Sequence, residues 1–305
     1  MISEIKRREF LKISGAGLAA AGTISGFSSA VAFAAGEQVF KKAIGFGMVR
    51  IDGMSIMDKF KLAKEVGFDG IEMPGPNELD DKEVLAAQDA TGLKIHSIMN
   101  TVHWRKPFSD PDPKVREEGM AGMKEAMDKA KMYGAEAVLL VPAVVNKEVT
   151  YSYAYKQSQE EIRKLIPYAE KLNIKIGLEN VWNNFLLSPV EMARYIDEFD
   201  SPLIGAYFDC GNIVRYGWPV HWIEALGERI VKVHVKAYSR ELQNKEGPRA
   251  GFRIEMGDGD IDWPGIVKAL VKVGYKDWVT SEVRGGDKAR LEDIKQRMDN
   301  ILQLT

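Results

Sequence analysis

The stretch that decides the fold prediction is Ile230–Tyr238, which reads IVKVHVKAY. Its valines alternate with Lys232, His234 and Lys236. Because side chains point alternately to opposite faces of a β-strand, the valines form an apolar face and the Lys-His-Lys set forms the other. In an ordinary half-buried strand this polar face would meet water. The rest of the chain favours a different interpretation, in which the polar face lines an interior site.

Three further short apolar runs each carry one acidic residue near the C-terminal end, with helix-like sequence between them. A parallel barrel builds metal sites from side chains at the C-terminal ends of neighbouring strands. A lone acid at a strand end is more often a helix cap or a loop ion pair, so the interpretation rests on the set. Its members are Glu179 in Ile174–Asn180, Asp209 in Leu203–Asn212 and Glu282 in Asp277–Val283.

The alternation of eight apolar runs with eight helical patterns predicts an α/β fold, a single (β/α)8 TIM barrel over residues 35–305. A barrel of this kind takes about 250 residues. Two long connections, residues 144–155 and 240–260, follow strands and are candidate lids at the catalytic face. The predicted strands cover residues 43–49, 70–74, 94–100, 137–142, 174–180, 203–212, 230–239 and 277–283. The predicted helices cover residues 55–66, 80–91, 114–133, 155–172, 189–198, 221–226, 263–273 and 287–302.

Composition narrows the choice of function classes. Hydrophobic residues make up 45% of the 305-residue chain, which is enough for a large core. The formal net charge is −2 and no basic stripe is present, which argues against a nucleic-acid partner. Cys210 is the only cysteine, so an internal disulfide is excluded. Nothing in the sequence decides between a monomer and a homo-oligomer.

The N-terminus has the pattern of an export signal. Arg7–Lys12 reads RREFLK and precedes a Gly/Ala-rich, weakly apolar run that ends near Ala32-Phe33-Ala34. Twin arginines followed by such a run and a small-x-small site are typical of a twin-arginine signal peptide, here residues 1–34. The alternative, a membrane anchor, is disfavoured by the glycines and serines within the run. We expect cleavage after Ala34 and a periplasmic protein exported by the twin-arginine machinery, which carries folded proteins.

The donor types of the four residues indicate which ion they would hold. Glu179, Asp209, His234 and Glu282 fall on predicted strands five to eight, and neighbouring strands lie about 5 Å apart. Three carboxylates and one imidazole favour one divalent ion such as Mn²⁺, with Mg²⁺ or Co²⁺ as alternatives, and disfavour a closed cysteine-type zinc site. Buried carboxylates without a counter-charge are costly, and a cation removes that cost.

Six motifs in this order carry a family resemblance over residues 41–305. They are GFDGIE (67–72), GLEN (177–180), FDCGN (208–212), VHVK (233–236), GDGDIDW (257–263) and SE (281–282). The chain thereby resembles the xylose-isomerase-like sugar isomerase/epimerase superfamily, which includes D-tagatose 3-epimerase and hydroxypyruvate isomerase. The resemblance implies one divalent metal, commonly Mn²⁺, bound by the four residues named above. It also implies that Glu179 and Glu282 are catalytic and move protons on opposite faces of a small carbohydrate.

The residues that contact substrate in that family are only partly present in this chain. Where epimerases often carry a second Glu, this chain has Phe185, and where they often carry a His, it has Asn212. Ala237 replaces a frequent Asp, while Arg240 matches an arginine that contacts substrate in ketose 3-epimerases. A simple ketohexose epimerase is therefore not the direct expectation.

Six residues are substrate-binding candidates. His96 is predicted to share the barrel-facing side of its strand with Ile98 and Asn100, and the alternative is a core histidine. Glu72 ends a strand, where the alternative is an ion pair or a cap. Trp104 could stack on a sugar ring from a loop, and the alternative is loop packing. The full set is Glu72, His96, Trp104, Asn212, Lys236 and Arg240.

The leading hypothesis is a metal-dependent isomerase or epimerase that works through an enediolate. A close rival uses the same enediolate but expels a β-substituent, which would make a lyase acting on a keto-glycoside. An endonuclease-four-like nuclease has the same fold but needs many histidines, and this chain has only four. A non-catalytic carbohydrate-binding protein is disfavoured because Glu179 and Glu282 are both present.

Overall fold

The computed structural model describes residues 39–303, and within them eight parallel strands close into a barrel in the order β1 to β8. The predicted TIM barrel is confirmed. The predicted signal peptide lies outside the described residues and stays a prediction. The strands are β1 (Lys41–Gly45), β2 (Gly70–Gly75), β3 (Lys94–Asn100), β4 (Ala137–Leu140), β5 (Lys175–Glu179), β6 (Ile204–Asp209), β7 (Ile230–Val235) and β8 (Trp278–Ser281).

Helices pack around the barrel and connect the strands. Most begin at a side-chain cap: Ser55, for example, accepts a hydrogen bond from the backbone N–H of Asp58. Several end at a glycine in the left-handed conformation, as at Gly67. The helices are α1 (Ile56–Val66), α2 (Asp81–Thr91), α3 (Pro113–Tyr133), α4 (Tyr151–Leu172), α5 (Pro189–Asp197), α6 (Pro219–Leu226), α7 (Arg240–Glu246), α8 (Trp263–Lys272) and α9 (Lys288–Ile301).

Two of the predicted boundaries are wrong in a way that affects the site. Helix α4 begins at Tyr151, capped by Thr150, so the first candidate lid is shorter than predicted. The second candidate lid is folded: it contains α7 and a 3₁₀ turn over residues Pro248–Phe252. None of the described helices combines the length and the hydropathy that a membrane-spanning segment requires.

The strand register brings the interior side chains into layers. Glu179 is level with Tyr207, and Asp209 is level with His234, which is level with Thr280. Between β2 and β3 the register shifts by one residue, so that Glu72 is opposite Ser97 and His96 is left without a register partner. Such a bulge turns the following side chains to the other face.

The N-terminal end of the barrel is closed by a buried lysine. Lys232 is 1% exposed, and its Nζ donates to Asp277 (2.6 Å) and Glu136 (2.9 Å), whose carboxylates lie toward solvent. In the same barrel interior, the rings of His96 and Trp278 stack with centroids 4.7 Å apart. The interior is thus filled by side chains, as expected for an eight-stranded barrel.

Candidate metal centre

Four strands converge on one cluster at the C-terminal end of the barrel. Glu179 and Asp209 are the last residues of β5 and β6, His234 lies in β7, and Glu282 follows β8. Each offers one ligand atom, and these atoms all lie within 4.8 Å of one another. The first three are buried, whereas the Glu282 side chain is 40% exposed. The structure therefore brings together the four residues that the sequence predicted as ligands.

Each of the two ring nitrogens of His234 faces carboxylate oxygens. Nδ1 lies 3.3 Å from Glu179 Oε1 and 3.5 Å from Glu282 Oε2. On the opposite side, Nε2 lies 3.0 Å from Glu72 Oε2. Burial by itself lowers the pKa of His234, but the charge of Glu72 and the hydrogen bonds of the three carboxylates outweigh it and raise that pKa well above the ordinary value.

Glu72 belongs to the barrel interior. The structure places it at 4% exposure beneath the four-residue cluster, where Ser97 Oγ (2.8 Å) and Tyr207 Oη (2.5 Å) donate to its Oε1. Burial works against ionisation, but the charge and hydrogen bonds of its neighbours lower the pKa of Glu72. Glu72 contacts His234, one of the proposed ligands, and does not line the cavity at the barrel mouth, so its predicted contact with substrate stays a prediction.

The buried carboxylates of the cluster resist ionisation. Burial raises the pKa of Glu179 to about 7, and the charges of Glu282 and Asp209 add to this effect. Burial likewise raises the pKa of Asp209, although Lys236 opposes the shift. Because like charges share a small, dry volume, ionising all of them requires a counter-charge.

Lys236 provides part of that counter-charge. Its Nζ lies 3.0 Å from Asp209 Oδ2 and also donates to Glu282. Burial lowers the pKa of Lys236, but Asp209, Glu282 and Glu179 outweigh it, so that pKa is raised. In turn, Lys236 and His234 overcome burial and lower the pKa of Glu282. One lysine and one histidine thus face three carboxylates of the cluster.

The donor set fits a hard divalent ion. Three carboxylates and one imidazole offer mostly oxygen ligands with an accessible side, the arrangement of a catalytic rather than a closed structural site. Asp209 supports the fit: its Oδ1 accepts from the Asn212 backbone N–H, while the nearest positive charge to its buried Oδ2 is the Lys236 ammonium at 3.0 Å. That oxygen already faces a cation, and a divalent ion held by the cluster would serve the same need.

A cavity of about 660 Å³ opens beside the cluster. Of the predicted substrate contacts, Asn212 and Lys236 line it, together with Glu282. Sequence reasoning missed Phe252, which lines the cavity from the 3₁₀ turn after α7, and Trp182, whose ring packs 5.0 Å from that of Phe252. The position of Trp182 just after β5 was a signal for it, but nothing in the sequence indicated Phe252.

Three other predicted substrate contacts have different surroundings. His96 is 2% exposed and its Nε2 lies 3.0 Å from Thr280 Oγ1, so the structure favours the alternative, a core histidine. The Arg240 guanidinium donates to the carbonyls of Val214 (2.8 Å) and Gly217 (2.6 Å) and holds the segment after β6. Trp104 is 49% exposed at the rim, and its stacking on a sugar stays a prediction.

Comparison with known proteins gives consistent matches over most of the chain. Residues 60–304 match a family described as xylose isomerase-like TIM barrel. L-ribulose-5-phosphate 3-epimerase UlaE of Escherichia coli (strain K12) is 24% identical over 264 residues, which cover 79% of this chain and 89% of that protein. The solved structure of 3-keto-D-glucoside 4-epimerase YcjR from E. coli has a TM-score of 0.69 at 18% identity and covers 86% of this chain and 98% of YcjR. A D-tagatose 3-epimerase-like protein has a TM-score of 0.72, with the same identity and coverage. At this identity the two structures show a shared fold.

Proposed function

The chain belongs to the xylose isomerase-like TIM barrel family, and from this premise we propose that it is a divalent-metal-dependent epimerase or isomerase of a small carbohydrate. The observation that carries the proposal is the cluster of Glu179, Asp209, His234 and Glu282, whose ligand atoms lie within 4.8 Å of one another. The names of the relatives support a keto sugar, its phosphate or a keto-glycoside as substrate. Mn²⁺ is the proposed ion, because the donor set is mostly oxygen.

The reaction proposed for this site is proton removal beside a carbonyl. Loss of that proton leaves an enediolate, whose negative charge is unstable in water. A divalent ion held by the four residues would supply the positive charge that stabilises it. Lys236, with its ammonium beside Asp209 and Glu282, adds a second positive charge at the same side of the cavity.

The two glutamates are suited to complementary proton transfers. The Lys236 ammonium donates to Glu282 and lowers its pKa, which favours the ionised form and the role of the base that takes the first proton. Glu179, at the end of β5, is the proposed partner that returns a proton on the opposite face. Epimerisation needs a group on each face of the sugar, and Glu179 at the end of β5 and Glu282 after β8 are the residues that we assign to these two roles.

Deuterium exchange from solvent tests the proposal. The Mn²⁺-loaded protein is incubated in D₂O with L-ribulose 5-phosphate, D-tagatose and a 3-keto-glucoside, and each sugar is examined by NMR. The expected result is deuterium at the carbon next to the carbonyl of at least one substrate, with loss of exchange in EDTA. Release of the aglycone from the keto-glycoside would establish the rival elimination. Absence of exchange and of elimination with Mn²⁺, Mg²⁺ and Co²⁺ would refute the enzymatic proposal.

We also propose export to the periplasm after removal of residues 1–34. The support is the RREFLK motif with the apolar run and the Ala32-Phe33-Ala34 site that follow it. An exported enzyme loaded with its metal while folded in the cytoplasm would keep that metal through twin-arginine transport.

A further inference from the structure

Glu72 is a buried charged group that the proposed proton transfers do not use. It is 4% exposed, lies in the interior of the barrel on β2, and is absent from the lining of the cavity. Burying a carboxylate is expensive unless its oxygens are paired and hydrogen-bonded. The contacts of the Glu72 carboxylate should therefore explain why it is buried in the barrel.

Both oxygens of Glu72 are engaged, and on different sides. Oε1 is within hydrogen-bonding distance of the Ser97 hydroxyl from β3 (2.8 Å) and the Tyr207 hydroxyl from β6 (2.5 Å). Oε2 is 3.0 Å from Nε2 of His234 on β7. The Tyr207 ring also packs against the His234 ring, with centroids 4.6 Å apart. Four strands thus fix the carboxylate and the imidazole relative to each other.

This contact determines which His234 nitrogen faces the cluster. When Nε2 carries its proton toward Glu72, the lone pair of Nδ1 is directed to the side occupied by Glu179 and Glu282. Without an acceptor at Nε2, the imidazole has no partner to fix its tautomer or its rotation. A carboxylate that accepts from the far nitrogen also makes the near nitrogen a stronger donor to a metal.

We propose that Glu72 is a positioning residue, supported by Tyr207 and Ser97, that holds His234 with Nδ1 directed at the divalent ion. The inference rests on the metal centre of the proposed function. It also accounts for the last residue of the motif GFDGIE, which is buried in the barrel and contacts His234.

Glu72→Gln is the informative substitution, since it keeps the shape and removes one acceptor. A carboxamide has one oxygen and one NH₂ group, and so cannot accept from His234 on one side and from Tyr207 and Ser97 on the other. Tyr207→Phe is the second variant, which keeps the carboxylate and removes one of its supports. Glu161→Gln is the matched control: Glu161 is also a buried carboxylate, but it lies on α4 and pairs with Arg116 (3.1 Å) outside the barrel.

Mn²⁺ affinity is the readout, measured by isothermal titration calorimetry of the metal-free full-length proteins, with circular dichroism to confirm folding. We expect Glu72→Gln to bind Mn²⁺ 10–100-fold more weakly, the effect typical of removing such an outer partner. Tyr207→Phe should weaken binding in the same direction by a smaller factor. Glu161→Gln should stay within threefold of wild type. A changed visible spectrum of bound Co²⁺ in Glu72→Gln would further show altered ligation.

Two results would overturn the inference, and they are distinguishable. If wild type and both barrel variants bind Mn²⁺ with the same affinity, Glu72 does not position His234 although the metal centre exists. If wild type binds no divalent ion, both the inference and the proposed function fail. Should Glu72→Gln not fold, the folded Tyr207→Phe variant decides, because unchanged Mn²⁺ affinity there contradicts the proposed support of Glu72.

Discussion

Replacing Glu179 by glutamine measures the electrostatic cost that the metal centre imposes on the fold. The substitution keeps the size of the side chain and removes its ability to ionise. Burial raises the pKa of Glu179 from its ordinary 4.5 to about 7. Between these two pH values the folded protein holds a proton that the unfolded chain has released. The contribution of Glu179 to the free energy of unfolding therefore falls as the pH rises between these two values. Above pH 7 the full destabilisation is present.

The size of the effect follows from the two pKa values. A difference of about 2.5 corresponds to about 3 kcal/mol of lost stability once Glu179 is ionised in both states. For a chain of this length, 1 kcal/mol shifts Tm by about 2 °C. The metal-free Glu179→Gln protein should therefore melt about 6 °C above wild type at pH 9, and the gap should shrink to about 2 °C at pH 5.

Differential scanning calorimetry in EDTA at pH 5, 7 and 9 tests this expectation. The difference between variant and wild type removes the contribution of titrating groups outside the cluster, which is the same in both proteins. In a second series, Mn²⁺ at a hundred times its Kd should stabilise wild type by about 2.7 kcal/mol, or roughly 5 °C, and stabilise the variant much less. A gap that does not change with pH would refute the reasoning about the buried carboxylate. An equal Mn²⁺ response in both proteins would show that Glu179 is not a ligand.

Three further outcomes follow from the structure. Glu282→Gln should lower the rate of solvent exchange 10²–10⁴-fold, since the proposed base is lost, and unchanged exchange measured by NMR would remove Glu282 from that role. Gly70→Ala should destabilise the protein by about 1–3 kcal/mol in urea unfolding, because a Cβ there would lie 2.4 Å from the Trp278 ring, whereas Gly47→Ala, with open space around it, should be nearly neutral. N-terminal sequencing of the exported protein should begin just after Ala34, and a start at Met1 would contradict cleavage.

The barrel and its four candidate ligands could be predicted from the sequence, because their signals are local. Alternation in Ile230–Tyr238 fixes which side chains share the interior face, and His234 and Lys236 do lie there. When the sheet closes into a barrel, the acidic residues at the ends of neighbouring strands lie close to one another. Closure itself follows from the count of βα repeats.

The remaining errors come from features that period-two alternation does not encode. The bulge between β2 and β3 puts Ser97 opposite Glu72, so the predicted interior face of His96, Ile98 and Asn100 does not continue along the strand. Arg240 matches a substrate-contacting arginine of the family that the sequence resembles, but here its guanidinium donates to the carbonyls of the segment after β6. Contacts between residues far apart in the chain, such as that of Glu72 with Tyr207, cannot be predicted from one sequence alone.

The buried Lys232 at the N-terminal end of the barrel has a consequence for substrate entry and product release. At that end of the described barrel, Lys232 bridges Glu136 and Asp277, and the rings of His96 and Trp278 stack on each other. We therefore expect substrate to enter and product to leave through the cavity at the opposite end, which Phe252 and Asn212 line. Substrate and product therefore compete for the same cavity, and a molecule bound in that cavity would inhibit both the forward and the reverse reaction.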